Sequence, residues 1–102
     1  MQRPLDEELR ELRGAIDRLD DQLLQVLAER FAAAEAIARH KARRGEPVVQ
    51  PERAQQVRAR YLRRGAELRL RPSFLAAVWK LVHDESCRRQ EEILQSVERT
   101  AR

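Results

Sequence analysis

The stretch LDEELRELRGAIDRLDDQLLQVLAERFAAAEAIARHKAR, residues 5–43, decides how this chain folds. It has no proline and a single glycine, Gly14, and its apolar residues Leu5, Leu9, Leu12, Ile16, Leu19 and Leu23 are spaced alternately four and three apart. A strand repeats its faces every two residues, whereas this spacing is the period of a helix. The seam runs on through Leu27, Ala34 and Ile37, and the cluster Arg43, Arg44, Gly45, Glu46, Pro47 then ends it. At about 1.5 Å per residue such a helix is roughly 55 Å long, well beyond the diameter of a compact domain of about 100 residues. Its apolar stripe cannot be covered by its own chain.

Two shorter helices follow. Pro51 suits a first helical turn, Glu52 suits the positive N-terminal end, and Val57, Tyr61 and Leu62 give the second helix an apolar side up to about Gly65. A third starts near Pro72 and Ser73, with Phe74, Leu75, Val78, Leu81, Val82, Ile93 and Val97 marking an inner face. The chain is therefore expected to be all-α and a single domain over residues 1–102. Its helices are expected at about 5–43, 51–65 and 72–97. The long helix is expected to pair with its copy from another chain in an intertwined homodimeric bundle, with helices two and three covering the rest of its surface.

Composition agrees. Aromatic residues make up 4% of the chain and glycines number 3, so strand formers and turn formers are scarce. Lys and Arg number 21 against 17 Asp and Glu, for a net charge of +4, and the two signs are interleaved along every helix. No basic stripe with aromatic interleaving appears, which argues against nucleic acid as a partner. One cysteine, Cys87, permits no intrachain disulfide, and His40 and His83 lack ligand spacing, so no metal is expected. With no apolar leader at the N-terminus and no apolar run of about 18 residues, the reading is a cytoplasmic protein without a membrane segment.

Function is suggested by polar residues on faces that should be apolar. The seam of helix one continues as Leu27, Arg30, Ala34, Ile37, Lys41, so two cations point toward the core, about 16 Å apart along the axis. A seam cation can snorkel to solvent, pair with an acid or meet a ligand, and two together favour the ligand. In helix three the series Leu75, Val78, Val82 is interrupted by Ser86 and Gln90, either a structural hydrogen-bonding pair or part of a pocket. Arg53 lies in the first turn of helix two, on the side of Val57. Arg13 also lies near the stripe, but about 25 Å of helix separates it from Arg30. An antiparallel partner helix would bring a second copy's Arg13 to the same place. Cys87 reads as a small residue at a helix interface and Trp79 as core or interface, and His83 and Asp84 receive no role.

The segments ELRGAIDRLDDQLLQVLAER (11–30), IARHKA (37–42), PVVQPER (47–53) and ESCRRQ (85–90), in this order and spacing, resemble the α-helical chorismate mutases over roughly residues 9 to 95. The resemblance implies a cofactor-free isomerase that converts chorismate to prephenate by an intramolecular Claisen rearrangement. By the same resemblance Arg13 reaches into the other subunit's pocket, while Arg30, Lys41, Arg53, Ser86 and Gln90 line the pocket of their own. Arginines and Ser86 would grip the two substrate carboxylates and hold the compact reactive conformer. Lys41 and Gln90, with Arg30, would carry the catalysis, Lys41 and Gln90 by meeting the charge that develops on the ether oxygen.

Two positions depart from the family pattern. The usual member has Glu directly after the residue matched by Arg53 and often Asp three residues before it; here Ala54 and Gln50 stand there. That Glu contacts the hydroxyl at ring position four, so the identity of the position-four group is left open. Chorismate is the first expectation, 4-amino-4-deoxychorismate the second, suggested also by QPER, and an isochorismate pyruvate lyase the third, with Ser86 favouring a mutase. The alternative from another class is a helical dimeric binding or regulatory module.

Overall fold

The computed structural model describes residues 4–47 and 50–100. Val48 and Val49 of the PVVQPER segment, and the first three residues of the stretch searched for a leader, lie outside them. Three helices account for most of the chain, α1 Leu5–Arg44, α2 Pro51–Glu67 and α3 Pro72–Thr100, and no strand occurs among the described residues. The chain divides into two compact units, residues 1–30 and 31–102.

The first unit is helical from Leu5 onward. Its first turn carries Asp6, Glu7 and Glu8 at the positive end, and the Pro4 carbonyl accepts the Glu7 and Glu8 N–H groups at 3.0 and 3.3 Å. The seam is left uncovered: Leu5 is 81% exposed, Leu12 65%, Leu19 61% and Leu23 57%. This is the stripe expected to exceed the reach of its own chain.

The second unit holds the rest of α1 with α2 and α3. Gly45, at φ 69°, closes α1: the Glu46 N–H donates to the Lys41 carbonyl at 3.0 Å and the Gly45 N–H to Ala42 at 3.3 Å. These are the paired bonds of a Schellman stop. α2 ends in the same way, with Leu70 N–H to Gly65 O at 2.9 Å and Arg69 N–H to Ala66 O at 3.1 Å. Here the left-handed position belongs to Arg69, at φ 61°, a conformation that costs a residue with a Cβ.

Gly65 lies within α2, which runs two residues beyond it. It is buried, and a Cβ placed on it would overlap Leu75 Cδ1 and come within 3.0 Å of Leu75 Cγ. Its missing side chain is what allows α3 to lie close against α2. Among the described residues the buried side chains are Leu75, Val82 and Ser86 on α3 with Ala34 and Ala38 on α1. Leu75, Val82 and Ser86 recur at intervals of seven and four and so share one face of α3. Phe74 and Leu81, expected on that inner face, are 58% and 72% exposed. Each precedes a buried residue by one position, about 100° around the helix, which turns it away from the buried side.

Candidate active site

Residues of the expected site differ in burial by element. On α1 Arg13 is exposed, Arg30 and Lys41 are half-buried, and Ala34 and Ala38 are buried. At the start of α2 Gln50 and Arg53 are exposed and Ala54 is half-buried. On α3 Ser86 is buried, at 8% exposure, and Gln90 is half-buried.

Gln90 has a defined orientation. Its Nε2 donates to the Ala34 carbonyl at 3.1 Å, a bond from α3 to α1. An amide nitrogen carries two N–H groups, and this bond uses one of them. The other N–H and Oε1 are thereby held in fixed directions. Lys41 lies seven residues beyond Ala34, two turns along the same face of α1. Ser86 lies one turn before Gln90 on α3. Small buried alanines at 34 and 38 leave room for α3 on this side of α1.

Gln50 is the residue before α2, at φ −120° and ψ 106°, and its carbonyl accepts the Ala54 N–H at 3.1 Å. Its side chain makes no capping bond, so the amide is not spent on the helix end. An open groove of about 680 Å³ lies here, lined by Pro47, Gln50, Pro51, Glu52, Arg53 and Gln56. It brings together two residues of the expected site, Gln50 and Arg53, and its lining does not include Lys41, Ser86 or Gln90. The positive end of α2 and the Arg53 guanidinium both favour an anionic group beside it.

Arg89 was not singled out by the sequence. Its Nη1 lies 3.5 Å from Glu35 Oε1, its Nε donates to Glu85 Oε2 at 2.9 Å, and its guanidinium carbon is 4.8 Å from the centre of the Phe31 ring. Hydrogen bonding to Glu85 raises its already high pKa further. The only sequence signal is the Glu85–Arg89 spacing of four, which any solvated helix face shows. The contacts to Phe31 and Glu35 depend on how α1 and α3 pack.

The remaining polar cluster runs along α3, with the Arg58 guanidinium of α2 6.0 Å from the centre of the Trp79 ring. Trp79 stacks on His83 with ring centres 4.9 Å apart and planes 14° apart, and Cys87 Sγ lies 3.6 Å from His83 Nε2. Burial, then the negative charge of Asp84, push the Cys87 thiol up from its usual value. A thiol kept protonated is a poor nucleophile, in keeping with a packing role. No group of three metal-ligating side chains occurs among the described residues.

Residues 12–91 match the family model described as chorismate mutase type II. The chain is 35% identical, over 94 residues, to a 4-amino-4-deoxychorismate mutase of Streptomyces venezuelae, an alignment spanning 92% of this chain and 91% of that protein. It is 31% identical over 85 residues to a protein of the same description from Streptomyces pristinaespiralis, spanning 83% of this chain and 66% of that one. A bifunctional chorismate mutase/prephenate dehydratase of Aquifex aeolicus shares 39% identity over 62 residues, 61% of this chain and 17% of that longer protein.

Proposed function

The chain belongs to the chorismate mutase type II family, and we propose that it is a cytoplasmic chorismate mutase acting as a homodimer, each chain one catalytic domain. The observation that carries this reading is the match over residues 12–91, which takes in every candidate residue from Arg13 to Gln90. Within that span the Gln90 amide is already oriented by the Ala34 carbonyl.

In this reading the substrate is a flexible dicarboxylate that must be held folded so that the reacting carbons meet. Arg13 of one copy, with Arg30, Arg53 and Ser86 of the other, hold the two carboxylates, and planar guanidinium groups suit that task because they bind a carboxylate through two N–H groups at once. As the C–O bond stretches, negative charge grows on the ether oxygen. The Lys41 ammonium and the second N–H of Gln90 donate to it from fixed positions. Bond breaking and bond making occur within the substrate, so the step calls for no proton donor, covalent intermediate or cofactor.

The uncovered seam supports the homodimer. No helix among the described residues is long and apolar enough to cross a membrane, so a lipid-spanning role does not account for Leu5, Leu12, Leu19 and Leu23. A second copy laid antiparallel on the seam covers them and supplies Arg13.

A second reading is favoured by a specific observation. Ala54 stands where the usual relative has an acid for the position-four hydroxyl, and the relatives of the two Streptomyces species are described as acting on the 4-amino substrate. The test is loss of substrate followed by absorbance on chorismate, 4-amino-4-deoxychorismate and isochorismate in parallel, with Lys41→Ala alongside. Removing one such donor is expected to slow turnover on the order of a hundredfold. Turnover of chorismate lost in that variant supports the first reading. Turnover of the amino substrate alone moves the function to the second, pyruvate release from isochorismate makes it a lyase, and silence on all three sinks the enzyme.

A further inference from the structure

We infer that Arg89 is a positioning residue for Gln90, locking α3 against α1 in the register that delivers the Gln90 amide to the Ala34 carbonyl. The inference rests on the mutase reading above for its effect on turnover, and on the geometry alone for its effect on the amide.

Consecutive residues of α3 engage consecutive residues of α1. Gln90 bonds to Ala34, and Arg89 pairs with Glu35. Phe31 and Glu35 are one turn apart on α1, so they present a ring and a carboxylate to the same guanidinium. Glu85, one turn back on α3, holds the group from another edge at 2.9 Å. A planar cation with a carboxylate at two edges and a ring on its face has little freedom to turn. The Arg64–Glu67 and Lys80–Asp84 pairs, by contrast, join residues within one helix and carry no information about register between helices.

The consequence for Gln90 follows from helix geometry. Sliding α3 by one residue moves it by about 1.5 Å, more than a hydrogen bond of 3.1 Å tolerates. An amide that loses Ala34 can flip its oxygen toward the ether oxygen, replacing attraction with repulsion. A donor misplaced by about 1 Å at such a site costs on the order of a hundredfold in rate, so partial loss of the clamp should cost about tenfold.

The experiment pairs kinetics with a readout that needs no substrate. Arg89→Met is expected to lower kcat about tenfold with KM changed less than about twofold, and to have no further effect in a Gln90→Ala background. Arg89→Lys keeps the charge toward Glu35 but not the flat face on Phe31, and should recover part of the loss. Glu35→Gln should reproduce the Arg89→Met effect if that variant folds poorly, and Arg64→Gln, whose partner Glu67 lies with it on α2, should leave turnover unchanged. In the free protein, the Gln90 side-chain amide protons seen by NMR should lose their separation and exchange faster with solvent in Arg89→Met and not in Arg64→Gln. An unchanged Gln90 amide, or an equal loss of kcat with and without Gln90, overturns the inference. An inactive wild type whose Gln90 amide still responds to Arg89→Met would instead overturn the mutase reading and leave the clamp standing.

Discussion

The seam of α1 makes a quantitative demand that Leu19→Glu puts to the test. Leu19 is 61% exposed in the single chain, and fully burying a leucine is worth about 1.5–3 kcal/mol. Covering what remains therefore stabilises each copy by about 1–2 kcal/mol, and a two-fold symmetric dimer counts it twice, about 2–4 kcal/mol. Leu19→Ala forfeits much of this and should raise the dimer dissociation constant by about 10- to 300-fold. Leu19→Glu adds an unpaired carboxylate to the closed seam, a further penalty of about several kcal/mol per ion, and should leave the protein monomeric at micromolar concentration. Sedimentation velocity across a dilution series reads both variants, with Gln22→Glu, off the seam on the same helix, as the control. Under the proposed shared pocket, which takes Arg13 from the other copy, turnover should fall with the dimer. A Leu19→Glu protein that sediments as wild type, or a wild type that is monomeric, would refute the reasoning.

Gly65→Ala gains helix propensity of about 1 kcal/mol but drives a methyl into the buried Leu75 side chain, an overpacking cost of about 1–3 kcal/mol, so thermal melting should show a net loss. Arg69→Gly relieves a left-handed arginine and should stabilise by about 0.5–1 kcal/mol in denaturant titration, with turnover unchanged. The raised thiol of Cys87 predicts slow alkylation at neutral pH, accelerating only above the ordinary thiol range, against a fast reaction in denaturant. The sign for stability follows: with the folded value above the unfolded one, the contribution is present below the unfolded pKa and is lost as pH rises through the folded one, on the alkaline side of about 9.

The helices were legible because their signals are local. The spacing of four and three from Leu5 to Leu23, and Pro51 and Pro72 at first-turn positions, need nothing beyond the neighbouring residues. The packing role of Gly65 was not legible, because a glycine near a helix end and one that admits a neighbouring helix look alike until the neighbour is placed. The inner face of α3 was drawn too wide for the same reason, since Phe74 and Leu81 sit one residue from the buried set. The polar residues Arg30, Lys41, Ser86 and Gln90 stood out because they broke an apolar pattern. Arg89 broke none, as its distinguishing contacts, Phe31 and Glu35, lie more than fifty residues away in sequence.

The four apolar side chains buried among the described residues, Ala34, Ala38, Leu75 and Val82, include two alanines. So slender an interior offers little against the entropy of ordering about a hundred residues. In the proposed dimer, stability is drawn from association, which would tie the folded fraction to the number of molecules in solution. Melting temperature would become a function of dose, and specific activity would fall on dilution before any residue of the proposed pocket is disturbed. In a cell that makes the protein sparingly, supply of chains would govern not only how many catalysts exist but whether each one persists.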